Sequence, residues 1–180
     1  MKKTNKTLFF LSLFLLASCS ASRKSLPALE NGKVGIQETI SFSENVSIIE
    51  LMSRARLFFA ENYRTTNVIQ LDDPNSGIII GRPSTRPIVN KLGMSASYDV
   101  FYRIKIECKP GRYRYTIDDV YVQGANNAAN LYGTKIPAEK YWSMIMGKKP
   151  GTIIGKTIKS AASQLKDAMG GQIQSNDKNW

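Results

Sequence analysis

The sequence predicts an α+β domain in which an antiparallel sheet has two helices packed on one face, in the order β-α-β-β-β-β-α. Three observations carry this. Residues 47–59 hold a helix start signal followed by an apolar stripe at helical spacing. The segments on either side of Lys109-Pro110-Gly111-Arg112 agree on one hairpin register on both of their faces. A second apolar stripe, ending at Gly170-Gly171, supplies the other helix.

The first strand is expected over residues 38–43, which alternate polar and apolar side chains with Ile40 and Phe42 on one side. A helix follows at once. Ser47-Ile48-Ile49-Glu50 is a capping box, in which the Ser47 hydroxyl and the Glu50 carboxylate each take a free backbone amide, and Val46 and Leu51 stand at the staple positions. Ile48, Leu51, Met52, Ala55, Phe58 and Phe59 form its apolar stripe, with Arg54, Arg56 and Glu61 off it. Residues 68–71 and 77–82 are short apolar runs joined by Asp72-Asp73-Pro74-Asn75-Ser76, a turn composition, so they should pair as a hairpin. Pro83 and Pro87 withhold ladder donors, so the second strand either ends there or continues on a sheet edge.

In the next hairpin Cys108 faces Tyr113, Ile106 faces Tyr115 and Ile104 faces Ile117 on one surface. On the other, Glu107 faces Arg114 and Arg103 faces Asp118, opposite charges where a cross-strand pair contributes about 0.2–1 kcal/mol. An L-Pro-Gly turn is type II rather than the primed type that tight hairpins favour. After Asp118-Asp119 the apolar phase shifts to Val120 and Val122, which predicts a bulge or the loss of one buried face. The last helix is expected over residues 152–169, with Ile154, Ile158, Ala161, Leu165 and Ala168 inward and Lys156, Lys159 and Lys166 outward.

The N-terminus reads MKKTNKTLFFLSLFLLASCSAS, with three lysines, a charge-free stretch over residues 8–16, and small residues before Cys19. This is the pattern of a secretory signal peptide. Its apolar part is about half the roughly 20 residues that a spanning helix needs. Leu16-Ala17-Ser18-Cys19 resembles the lipobox of bacterial lipoproteins, which implies removal of residues 1–18 and acylation of Cys19 by fatty chains such as palmitate. One chain gives marginal membrane binding, and two or three give a stable anchor. Ser20 stands where an inner-membrane retention signal carries Asp, so the resemblance implies the outer membrane, with the domain facing the periplasm. Cys19 and Cys108 are the only cysteines, so lipidation leaves Cys108 without an intramolecular partner and no disulfide is expected.

The full chain has 25 Lys and Arg against 14 Asp and Glu; removing residues 1–18 takes three lysines and no acid, leaving a balance of +8. Such a balance favours anionic surfaces without choosing among them. Residues 19–35 read as the lipidated cysteine and a tether, residues 36–169 as one domain with a long connection at 124–150, and residues 170–180 as a flexible tail.

VIQLDD at 68–73, GIIIG at 77–81, LGMSASY at 92–98 and KPGRYRYTI at 109–117 together resemble a family of bacterial envelope proteins of unknown function whose fold is like that of the TATA-binding protein. The likeness covers about residues 36–122 and the last helix. It implies a TBP-like fold, in agreement with the element order above, and assigns no activity.

Few chemical signals survive a physical reading. GTIIGKT at 151–157 comes near a phosphate loop, but Pro150 occupies the place of the first glycine, no buried strand precedes it, and Gly155 falls inside an amphipathic helix. No nucleotide partner is therefore expected. The chain has no histidine, which removes the commonest general base. Cys108 shares a core face with Ile104 and Ile106 and reads as an inert thiol. Asp72-Asp73 departs from calcium-loop spacing and reads as turn chemistry, and Asp118 already has Arg103 opposite it. The outer strand face, with Arg103, Lys105, Glu107, Arg112, Arg114 and Asp118, lacks the apolar surface that a minor-groove sheet uses, so nucleic acid is not an expected partner. No catalytic set, metal site or cofactor is expected. Tyr132, Tyr141, Trp142, Ile145 and Met146 are residue types that anchor partners, and equally ones with which a short helix caps a core. The resulting expectation is a membrane-anchored, non-enzymatic module binding an envelope protein or glycan; a carboxylate-dependent envelope hydrolase is the alternative.

Overall fold

The structure is a computed structural model and describes residues 26–64, 67–91, 94–124, 134–144, 150–170 and 172–174. The elements in order are β1 (Ile36–Ser41), α1 (Ile48–Asn62), β2 (Ile69–Asp73), β3 (Ile78–Gly81), β4 (Ser84–Thr85), β5 (Ile88–Lys91), β6 (Met94–Lys109), β7 (Arg112–Gly124), β8 (Ile136–Pro137), α2 (Ala138–Met144), α3 (Pro150–Met169) and β9 (Gln172–Gln174). The sheet runs β2-β3-β6-β7-β1-β9 and its pairings are antiparallel. β1 starts beside β7, α1 carries the chain across to the far edge, and β2, β3, β6 and β7 step back until the chain meets β1 again. The helices lie over one face, so the predicted α+β class and the one-sided covering both hold.

Local chemistry explains the boundaries. The Ser47 hydroxyl accepts from the Glu50 amide at 3.2 Å and opens α1. Leu51, Met52, Ala55, Phe58 and Phe59 are its buried residues, the predicted stripe with Ile48 at its partly buried margin. They pack on Ile79, Ile104, Ile106, Tyr113, Tyr115 and Ile117 from the sheet, and Ile154, Ile158 and Leu165 of α3 complete the core. Gly81 gives Phe59 its place, since a Cβ on Gly81 would run into that ring.

The β6–β7 hairpin has the predicted register at every named pair, from Cys108↔Tyr113 to Arg103↔Asp118. Gly111 has φ +72°, as the third position of a type II turn requires. The loop before α1 holds this unprimed turn in place. Gly111 donates its amide to the Val46 carbonyl at 2.9 Å and accepts from the Phe42 amide at 2.9 Å. The predicted bulge is present as well. Phe101 pairs with Tyr121 and Arg103 with Asp118, so Tyr102 faces two residues, and Asp119 takes φ +53°.

The structure corrects two expectations. The tether does not run to residue 35: Ala28 pairs with Val34, Val34 is buried, and its amide donates to Glu139 at 2.7 Å, so residues 26–35 belong to the packed unit. The tail is not wholly free, because β9 pairs with β1 through Ile173↔Ile40. At the prolines the second strand's line continues on the sheet edge, one of the two courses expected there. β4 and β5 follow β3 along the same long β6, interrupted at Pro83 and Pro87, and the Pro83 carbonyl still accepts from the Tyr102 amide.

Candidate functional site

Strand alternation sorts β6 and β7 into a buried set under the helices and an outer set. The outer set is a row of charges laid along the sheet. Arg103 donates twice to Asp118, at 2.8 and 2.7 Å, and Arg114 donates twice to Glu107, at 3.1 and 2.9 Å. Lys105 Nζ also reaches Glu107, at 3.0 Å, and the Thr116 hydroxyl donates to Gln37 of β1 at 3.2 Å. Burial alone would push the Glu107 carboxyl up, but the bonds from Lys105 and Arg114 outweigh it and hold it below the ordinary range. Among the described residues no helix packs on this face, and it contains two of the charge pairs that the sequence register predicts.

The bulge sets the far end of the row. It turns Asp119 so that its carboxylate accepts from Arg82 at 2.7 Å, while its neighbour Asp118 holds Arg103, and two successive acids each have an arginine. Burial pushes Asp119 up, and the bonds from Arg82 and Tyr121 reverse that, leaving it below the ordinary range. Phe101 and Tyr121 are paired here across the strands, with Lys135 Nζ 4.0 Å from the Phe101 ring centroid. The face therefore offers planar guanidinium and amide groups along the hairpin and an aromatic pair at one end.

The helical side carries two shallow grooves along α3. One, of about 380 Å³, is lined by Thr85, Arg86, Tyr102, Lys156, Ser160 and Gln164, among others, and no carboxylate lines it. Its Arg86 is held by Asp99 through two bonds, at 2.7 and 2.8 Å. The other, of about 460 Å³, lies between α3 and residues 27–38 and has one carboxylate in its wall, Glu38. That group accepts from the Tyr115 hydroxyl at 2.6 Å and from Lys166 at 3.0 Å. A glycosidase needs two carboxyl groups about 5–9.5 Å apart across a cleft, and neither groove is lined by two.

The remaining predicted residues separate cleanly. Tyr141 is only 5% exposed and belongs to the core, so its ring caps the domain and is not a surface anchor. Trp142 is in α2, with its side chain outside the described residues, where Tyr132, Ile145 and Met146 also lie, as does Cys19. Cys108 is buried and its thiol is pushed up to about 12 by that burial, so it stays protonated. Asp73 accepts from the amides of Asn75 and Ser76, the expected turn chemistry, whereas Asp72 binds Arg56 of α1 twice, at 2.6 and 2.8 Å, and so ties β2 to the helix rather than serving the turn. GTIIGKT lies wholly inside α3, where its later amides are bonded along the helix rather than free to cradle phosphate. Among the described residues no cluster of three metal-ligating side chains occurs, and no helix is long and apolar enough to cross a membrane.

Comparison with known proteins bears on the fold. The chain is similar to a TBP-like protein from Parabacteroides distasonis, with TM-score 0.63 and 16% identity over 78% of this chain and 95% of that one. It is also similar to a DUF4468 family protein from Bacteroides ovatus, with TM-score 0.62 and 15% identity over 84% of this chain and 94% of that one. A comparison with functionally described protein sequences gave no match. Residues 37–123, which hold nearly all of β1 to β7 and the charged outer face, match the family model of DUF4468, a domain of unknown function with a TBP-like fold.

Proposed function

We propose that this chain is a lipoprotein, anchored by Cys19 to the outer membrane on its periplasmic side, whose domain is a non-enzymatic platform for an envelope protein or glycan. The open face of the sheet carries this reading. Arg103 and Arg114 are each held by two bonds to a carboxylate and remain partly exposed, at 37% and 23%. A surface of this kind costs little entropy to immobilise on binding, because its side chains are already fixed by neighbours. Planar guanidinium and amide groups suit the hydroxyl, carboxylate and amide groups of glycans and peptides. No specific observation favours the hydrolase alternative.

The test is site-specific crosslinking in intact cells. A photoreactive residue at Thr116 or Thr39 on the open face is expected to give a discrete adduct, weakened by Arg114→Glu. No adduct from either position, together with a discrete one from the exposed Ile49 of α1, would move the binding surface elsewhere.

A further inference from the structure

We infer that the outward face of α3 is a membrane-docking surface for anionic lipid headgroups, so that the open face of the sheet points away from the bilayer. This rests on the proposed anchor at Cys19. The covalent path from Cys19 limits where α3 can be. Leu26 and Pro27 lie against α3 at Gly155, within 3.7 and 3.6 Å of the position its Cβ would take. Six residues lie between Cys19 and Leu26, and the seven steps from one to the other, at about 3.3–3.6 Å per residue, reach at most about 25 Å. The acylated end therefore cannot move far from this helix, and the tether is too short to hold the domain well clear of the membrane.

Charge on the outward face of α3 points the same way. Lys156 and Lys159 are exposed on α3, and neither has an acidic partner among the described residues. Ser160, Ser163 and Gln164 stand between and beside them as further donors. Lys166 is already committed to Glu38, and Asp167 is the exposed acid of the helix, toward its C-terminal end. Residues 20–25 add Arg23 and Lys24 and no acid. Bases beside a lipid anchor form the second signal that makes membrane association stable, each contributing roughly fivefold at an anionic surface.

The experiment uses the full chain, processed and purified from cells and reconstituted in vesicles. A fluorophore is placed at Ser163→Cys on α3 or at Thr39→Cys on the open face, and its quenching by a headgroup-attached quencher is read. Cys108, being buried, does not take the label. In vesicles containing phosphatidylglycerol, Ser163 should be quenched more than Thr39. The difference should shrink in phosphatidylcholine alone, at high salt, and in Lys156→Gln/Lys159→Gln, and it should return in the corresponding double Arg variant. Equal quenching at both sites in a chain that floats with the vesicles would overturn the orientation and leave the anchor standing. A chain that does not float with them at all would overturn the anchor, and this inference with it.

Discussion

Arg54 of α1 donates to the Met169 carbonyl at the C-terminus of α3, over 2.8 Å, and lies above the Phe42 ring at 5.6 Å. One side chain thus caps the last helix from the first, next to Gly170, whose φ of +71° ends the helix and whose amide returns to the Lys166 carbonyl at 2.8 Å. Arg54→Ala removes the cap and the ring contact together. It should lower the unfolding free energy by about 1–2 kcal/mol, read from the urea midpoint at unchanged slope, because helix-end charges and cation–π contacts are each worth up to that order when partly buried.

Two glycines of similar appearance should behave oppositely. A Cβ on Gly155 would meet Leu26 and Pro27 at ordinary contact distance, so Gly155→Ala should be neutral or stabilising by up to about 1 kcal/mol. A Cβ on Gly81 meets the Phe59 ring, so Gly81→Ala should destabilise by about 1–3 kcal/mol. Thermal unfolding of the two variants decides this. The same Gly155→Ala protein should show no change in Tm on adding ATP, as should the parent.

The pH dependence has two sides. Glu107, Asp72, Asp73 and Asp119 are held below the ordinary carboxylate range, so their contribution is present above about pH 4 and is lost as pH falls through their lowered values. Tyr63, Tyr102, Tyr113, Tyr115 and Cys108 are raised, chiefly by burial. Their contribution is complete below the ordinary thiol and phenol range, starting near pH 8.5, and is lost as pH rises above it. Urea midpoints should therefore form a plateau between acid and alkaline declines. Phenolate absorbance should rise together with alkaline unfolding rather than before it for these tyrosines.

Much of the fold was legible because several residues repeat one message. In the β6–β7 hairpin, Ile104, Ile106, Tyr113 and Tyr115 set the register on one face and Arg103, Glu107, Arg114 and Asp118 set the same register on the other. A slip by one residue would have broken both. The packing of residues 26–35 was not legible, since Val34 is held by Glu139, 105 residues away, and no local periodicity announces such a bond. Tyr141 illustrates a different limit. An aromatic on a short helix has the same sequence signature whether it caps a core or meets a partner, and only the burial of its ring separates the two. The same holds at Pro83, where the missing donor is visible in the sequence but the carbonyl that keeps β6 in line is not.

The alkaline decline gives a second check on the core. Cys108 should resist thiol reagents in the folded protein and react at full rate once urea has unfolded it, because burial both hides the sulfur and keeps it protonated. Fast labelling at neutral pH without denaturant would contradict the packing described for this strand.

The intact mass of the native protein, purified from membranes, tests the account most directly. A chain that begins at Cys19 and carries added diacylglyceryl and acyl groups on that residue is expected. An unmodified Cys19 thiol, or a chain that keeps residues 1–18, would contradict it.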